Sequence, residues 1–184
     1  MKFFLISFFV SCLFNHKAFS LDTIAKQAIL YDYETKTIIF EKNSEELMSP
    51  SSMSKIMTIY YVFKKIKDGD LKLTDKFKVS KKAWKKGGSK MFVNVNTMVS
   101  VEDLIRGIIV QSGNDACIAI AEGISGSEAL FAEELNLLAQ EIGMMNSSFT
   151  NSTGWPDPNH LTTIQDLLTL TVRTIEDFPE LYYY

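Results

Sequence analysis

Met48-Ser49-Pro50-Ser51-Ser52-Met53-Ser54-Lys55-Ile56-Met57-Thr58 runs without interruption into Ile59-Tyr60-Tyr61-Val62-Phe63-Lys64-Lys65-Ile66-Lys67, and how this stretch folds decides the rest of the molecule. Pro50 suits the start of a helix, where its missing N–H would have no partner in any case. Asp68-Gly69-Asp70 stops the helix. Apolar side chains at Ile56, Met57, Ile59, Tyr60, Tyr61, Val62, Phe63 and Ile66 go almost all the way round it, and a helix apolar on every side is buried. A buried helix that begins with Ser51, Ser52 and Ser54 is unusual, because those hydroxyls need partners. Ser52 and Lys55 are three apart and share a face, so hydroxyl and amine can meet. A serine hydroxyl is a poor nucleophile until a base takes its proton. A desolvated lysine, its pKa lowered, can be that base. The helix N-terminus adds potential that favours a developing alkoxide. The spacing alone is weak, since a capping serine and a snorkelling lysine would look the same.

Upstream, residues 28–32 and 37–41 are two apolar, β-branched or aromatic runs about Tyr33-Glu34-Thr35-Lys36, which reads as a hairpin opening an antiparallel sheet. Downstream, strand-like pieces stand at 77–79 and 91–93. Ser100-Val101-Glu102-Asp103 is a capping box for a helix to about Gln111. Asp115 opens a helix to about Glu122, Ser127 caps one ending at Gly143, and Thr162 or Thr163 caps a last one to about Asp177. The centre of the chain therefore reads as helical, with strands clear only near the N-terminus.

Of 184 residues, 46% are apolar and 22% charged, with a net charge of −3, a globular composition with no excess of positive charge to hold nucleic acid. Residues 64–90 hold 11 Lys and three Asp, while 122–180 hold ten acids and one Arg. The plain reading is solvated faces; the alternative is that the lysine face meets an anionic polymer or lipid surface. Met1-Lys2, an apolar run from Phe3 to Phe14 and Ala18-Phe19-Ser20 match a signal peptide cleaved after residue 20, leaving one domain, 21–184. The remaining Cys117 and His160 can form neither an internal disulfide nor a His or Cys metal site, so no metal or cofactor is expected. Cys117 reads as core packing, and His160 as a surface or loop-packing residue that could pair with Asp157.

Ser112-Gly113-Asn114 falls in a break between two helices, 60 residues after Ser52. A hydroxyl and an amide held in a tight loop suit proton relay and carbonyl binding, although the same residues also make ordinary turns. The pair of motifs, with Lys86-Gly87-Gly88-Ser89-Lys90-Met91-Phe92, Ile105-Arg106-Gly107-Ile108-Ile109-Val110-Gln111-Ser112-Gly113-Asn114-Asp115-Ala116-Cys117 and Phe149-Thr150-Asn151-Ser152-Thr153-Gly154-Trp155-Pro156-Asp157-Pro158, resembles the D-alanyl-D-alanine carboxypeptidases. These are low-molecular-mass penicillin-binding proteins of the serine β-lactamase-like superfamily, and the likeness runs from about Thr23 to the end of the chain.

The resemblance implies a β-lactamase-like α/β sandwich with a helical lobe, the hairpin packing beside the last helix and an all-α lobe spanning roughly residues 70–160. It makes Ser52 the acylated nucleophile, Lys55 its general base, Ser112 the proton relay and Asn114 the amide that holds the substrate's peptide carbonyl. It also implies removal of the terminal D-alanine from peptidoglycan stem peptides ending in D-Ala-D-Ala, acylation by β-lactam antibiotics, and a part in cell wall biogenesis. The protein would be secreted to the periplasm, with any membrane association made through a C-terminal tail. The family's third motif, K-T-G, is absent from these 184 residues, where Lys36-Thr37 is followed by Ile38. The expectation is therefore an N-terminal portion of the catalytic domain, with the later sheet strands outside this chain and its activity as it stands in doubt. Two alternatives carry weight. A serine β-lactamase would bring a deacylating Glu in a loop such as 147–163, which has none; a non-catalytic sensor of the same fold would explain a missing K-T-G.

Overall fold

The structure, a computed structural model, describes residues 21–184; the expected leader lies outside the described residues. Strands β1 (Ala28–Asp32) and β2 (Thr37–Lys42) form the expected antiparallel hairpin, with a register shift at Leu30/Tyr31. In its turn, Asp32 Oδ1 accepts the N–H groups of Glu34 and Thr35, so the acidic side chain takes over donors that the ladder cannot use. A single 3₁₀ turn, Ser51–Met53, leads into α1 (Ser54–Lys67). Every residue of α1 from Met57 to Phe63 is buried, as its all-round apolar surface requires. The tyrosines solve the polar problem at their tips. The Tyr60 hydroxyl donates to Asp177 at 2.6 Å and the Tyr61 hydroxyl to Glu134 at 2.7 Å.

After α1 come β3 (Lys76–Lys78), the short α2 (Lys81–Lys85), β4 (Met98–Ser100), α3 (Val101–Gln111), α4 (Asn114–Ser125), α5 (Glu128–Glu141) and α6 (Ile164–Asp177). The capping residues behave as the sequence indicates: Ser100, Ser127 and Thr163 accept from the N–H groups of Asp103, Leu130 and Asp166. α1 packs against α3, α5 and α6, while α4 lies between α2 and α5. Met57, Val62, Ile105, Ile118, Ile120, Phe131 and Leu135 fill the shared core. The hairpin packs beside α6 through β1, with Lys36 ion-paired to Glu176.

Two expectations need correction. The lobe over 70–160 is not all-α, because β3 and β4 pair in it as an antiparallel ribbon, and the Phe77 ring of β3 occupies the space a side chain at Gly123 of α4 would need. Residues 91–93 are not a strand. Their N–H groups donate instead to the Asp115 carboxylate, Met91 to Oδ1 and Phe92 and Val93 to Oδ2, and Phe92 adopts a φ of 64°, outside the β region.

Candidate active site

The 3₁₀ turn ahead of α1 is held from both sides. Met48 exchanges backbone hydrogen bonds with Thr162, and Ser148 with Leu161, so the approach to Ser52 is tied to the loop over 147–161. Ser51 has a φ of 48°, a left-handed conformation that costs a non-glycine residue energy. Its carbonyl is covered by Gly154, where a Cβ would fall 1.7 Å from Ser51 O. With a φ of 75° as well, position 154 requires glycine on both counts.

Ser52 is exposed and Lys55, one turn on, is 5% exposed. Lys55 Nζ donates to Ser52 Oγ at 3.2 Å and to the Thr153 carbonyl at 2.8 Å. Among the described residues no carboxylate pairs with it. Burial without a counter-charge penalises the ammonium, and it pushes the Lys55 pKa below its ordinary value. Cys117 lies behind it, fully buried, with its thiol pushed up to about 12 by that burial against the pull of Lys55. It is neutral packing, as expected.

A cleft of about 290 Å³ opens over this pair, and Ser52, Lys55 and Ser112 all line it, with Ile56, Ile59, Ile108 and Tyr182 as apolar walls. Ser112 caps the C-terminus of α3 in the left-handed conformation, φ 52° and ψ 36°. Gly113 follows because its space is filled: a Cβ there would lie 3.0 Å from Gly107 O and 3.1 Å from Met91 N. Three of the four residues singled out from the sequence therefore meet in one cleft. Asn114 is set beside it, 7% exposed, with Nδ2 donating to Gly87 O at 2.8 Å and its backbone N–H to Ser89 O.

Three positioning features escape the sequence. The Thr153 carbonyl is one, since a main-chain acceptor carries no residue signal. Asp115, fully buried, is the second: besides residues 91–93 it accepts the Ala116 N–H, and this cradle fixes the floor under Ser112-Gly113-Asn114. Glu128 is the third, accepting from Ser152 N and Oγ while ion-paired to Lys82 at 2.7 Å. Burial raises its pKa, but Lys82 and Ser152 outweigh that and hold it below the usual range. His160 is the loop-packing residue of the two expected alternatives, not a surface one. It is 1% exposed, with Nε2 2.7 Å from Ser54 Oγ, and it touches Asp157 only through a backbone bond to that residue's carbonyl.

A serine hydroxyl one helical turn from an amine with no carboxylate partner, sharing a cleft with a second serine in a left-handed corner, marks a class: proteins of the serine β-lactamase-like fold. The model of the D-alanyl-D-alanine carboxypeptidase family, peptidase S11, matches residues 15–184, and the chain belongs to that family. It is 38% identical over 143 residues to a D-alanyl-D-alanine carboxypeptidase of Bacillus subtilis, covering 78% of this chain and 37% of that one. The crystal structure of a D-alanyl-D-alanine carboxypeptidase from Francisella tularensis superposes with a TM-score of 0.85 at 40% identity, over 88% of this chain and 39% of the other. Penicillin binding protein 5 from Haemophilus influenzae gives 0.85 at 38% identity, over 89% and 48%. The chain spans about two fifths of the length of such relatives. Among the described residues, no helix is long and apolar enough to cross a membrane.

Proposed function

We propose that the protein is a serine-type D-Ala-D-Ala carboxypeptidase of cell wall metabolism, acting on peptidoglycan stem peptides and acylated at the same serine by β-lactams. The observation that carries this reading is the 3.2 Å contact between Lys55 Nζ and Ser52 Oγ in a cleft shared with Ser112. Neutral Lys55 takes the Ser52 proton as Oγ attacks the carbonyl carbon of the penultimate D-alanine. The oxyanion forms where the N–H groups of the first helical turn lack intrahelical acceptors, and the Ser52 N–H is one of its donors. The proton held by Lys55 passes by way of Ser112 to the departing amine, the C–N bond breaks and free D-alanine leaves. Water then cleaves the Ser52 ester, with Lys55 as base again. Asn114 holds the peptide carbonyl once substrate draws its amide from Gly87. A β-lactam enters by the same first step, its ring amide taking the place of the peptide bond.

In this reading residues 1–20 are a signal peptide, 21–184 are the N-terminal portion of the catalytic domain, and the protein works in the periplasm. The test is fluorescent penicillin labelling of the gene product read through to its stop codon. Ser52→Ala should abolish labelling, and retained labelling would move the nucleophile elsewhere. A read-through without K-T-G, and no labelling of the unaltered protein, would favour a non-catalytic sensor.

A further inference from the structure

His160 has no part in the chemistry just described, yet it is wedged between the loop that holds Lys55 and the turn that carries Ser52. Its Nδ1 faces two donors, the Thr150 N–H at 3.1 Å and Asn151 Nδ2 at 3.3 Å, and the Thr150 hydroxyl at 3.2 Å, which can take either part. A backbone N–H can only donate, so Nδ1 carries the lone pair. The Asn151 amide cannot be the other way round, because its Oδ1 accepts the N–H groups of Thr153 and Trp155. The ring proton of the neutral imidazole is therefore on Nε2, and it donates to Ser54 Oγ at 2.7 Å.

Ser54 stands between Ser52 and Lys55 in the chain, and the same loop returns the Thr153 carbonyl to Lys55 Nζ. One strut thus runs from loop to helix and another from helix to loop, with the Thr58 hydroxyl donating to Ser152 O one turn further down. The ring also closes the loop on itself, joining residue 160 to residue 150, and rests edge-on against Phe149 with centroids 5.6 Å apart.

We propose that His160, as the neutral Nε2–H tautomer, is a positioning residue for acylation: it fixes the Thr153 carbonyl against the Ser52 turn so that Lys55 Nζ stays aimed at Ser52 Oγ. The proposal rests on the roles given above to Ser52 and Lys55. The charged groups around the ring agree with a neutral imidazole. Burial pushes the pKa of His160 below its ordinary value, and only Asp157 pulls it the other way. Protonation would also set an Nδ1–H against the Thr150 N–H and the Asn151 amide N–H.

The test compares acylation by a fluorescent penicillin in the full-length gene product and in His160→Gln, Ser54→Ala and the double variant, with near-UV circular dichroism as a check of folding. Each single change should slow acylation roughly ten- to hundredfold, the scale of a 1 Å misplacement, and leave reversible penicillin affinity unchanged. The double variant should be no slower than the slower single, because both remove one bond. Nitrogen-15 spectra, with the His160 signals assigned by their loss in His160→Gln, should show Nε2 protonated near neutral pH. Ser54→Ala deletes a single oxygen and keeps the helix, so its folding does not depend on the outcome for His160→Gln. Wild-type acylation by Ser54→Ala, multiplicative losses in the double variant, or a proton on Nδ1 would overturn the proposal. If Ser52→Ala abolishes labelling while Ser54→Ala acylates normally, only the role of His160 falls; if Ser52→Ala still labels, the reading beneath it falls too.

Discussion

Two helix starts lie at this site, and they surround their ionisable side chains in opposite ways. At the start of α1, Lys55 has a hydroxyl and one carbonyl for company; the carbonyl accepts from amine or ammonium alike, and the hydroxyl can accept from the ammonium or donate to the neutral amine. At the start of α4, Asp115 is surrounded by the N–H groups of Met91, Phe92, Val93 and Ala116, main-chain donors that can only donate. The first site is built so that a proton can come and go at little cost. The second is built to hold four main-chain donors in place, which is what a scaffold under Ser112 and Asn114 needs. A buried ionisable group is thus chemical or structural according to whether its partners leave a proton free to move or pin the backbone around it.

The largest test of this contrast is at Lys55. Lys55→Arg keeps a positive charge that cannot be given up near neutral pH. Penicillin acylation should fall by about 10² to 10⁴, the usual worth of a general base, with little loss of stability. In the unaltered protein only the neutral amine can act as base. Acylation should therefore rise with pH, and level off below the ordinary lysine value of 10.5 because the Lys55 pKa is lowered. A pH-independent rate across that range would break the comparison.

Asp115→Ala comes next and should act on stability. It leaves at least two buried N–H groups without an acceptor, at roughly 1–3 kcal/mol each, so a loss of about 3 kcal/mol is expected in urea titration. Asp115→Asn, which keeps one acceptor oxygen, should lose less. Equal losses would mean that the charge itself is unimportant there.

Gly154→Ala sharpens the picture at α1. Its methyl would meet the Ser51 carbonyl, so either the loop or the serine turn must shift. A stability loss of about 1–3 kcal/mol, the range for overpacking, should come with slower acylation measured in the same preparation. The smallest effect belongs to Arg106→Ala. The exposed pair Arg106–Glu102 on α3 is of the helical type worth about 0.3–0.5 kcal/mol, and labelling should not change.

What the sequence makes legible is whatever short-range chemistry decides. α1 is recognisable from its own apolar surface, and Ser100, Ser127 and Thr163 from the N–H groups two or three residues on. Ser52 and Lys55 meet because one helical turn brings them together. Residues 91–93 show the limit. Met91-Phe92-Val93 has strand composition, but an acid 22 to 24 residues away claims its donors. His160 is the same case at longer range, since its partner Ser54 lies 106 residues upstream and a lone histidine in a polar loop carries no sign of burial. The β3–β4 ribbon is legible in part: the strand-like piece at 77–79 overlaps β3, but β4 and the pairing go unread, three-residue strands being too short to show alternation.

The Thr153 carbonyl has a consequence for how the protein can change over generations. Every codon supplies the same carbonyl, so no point mutation at position 153 deletes the contact that holds Lys55. A substitution can only displace it, by altering the residues that set its position: Gly154 against Ser51, Asn151 through its Oδ1, and Glu128 through Ser152. Variants that weaken drug acylation through this contact should therefore act by shifting the carbonyl, from those surrounding positions or through the Thr153 hydroxyl's own bonds to Asn151 and Trp155.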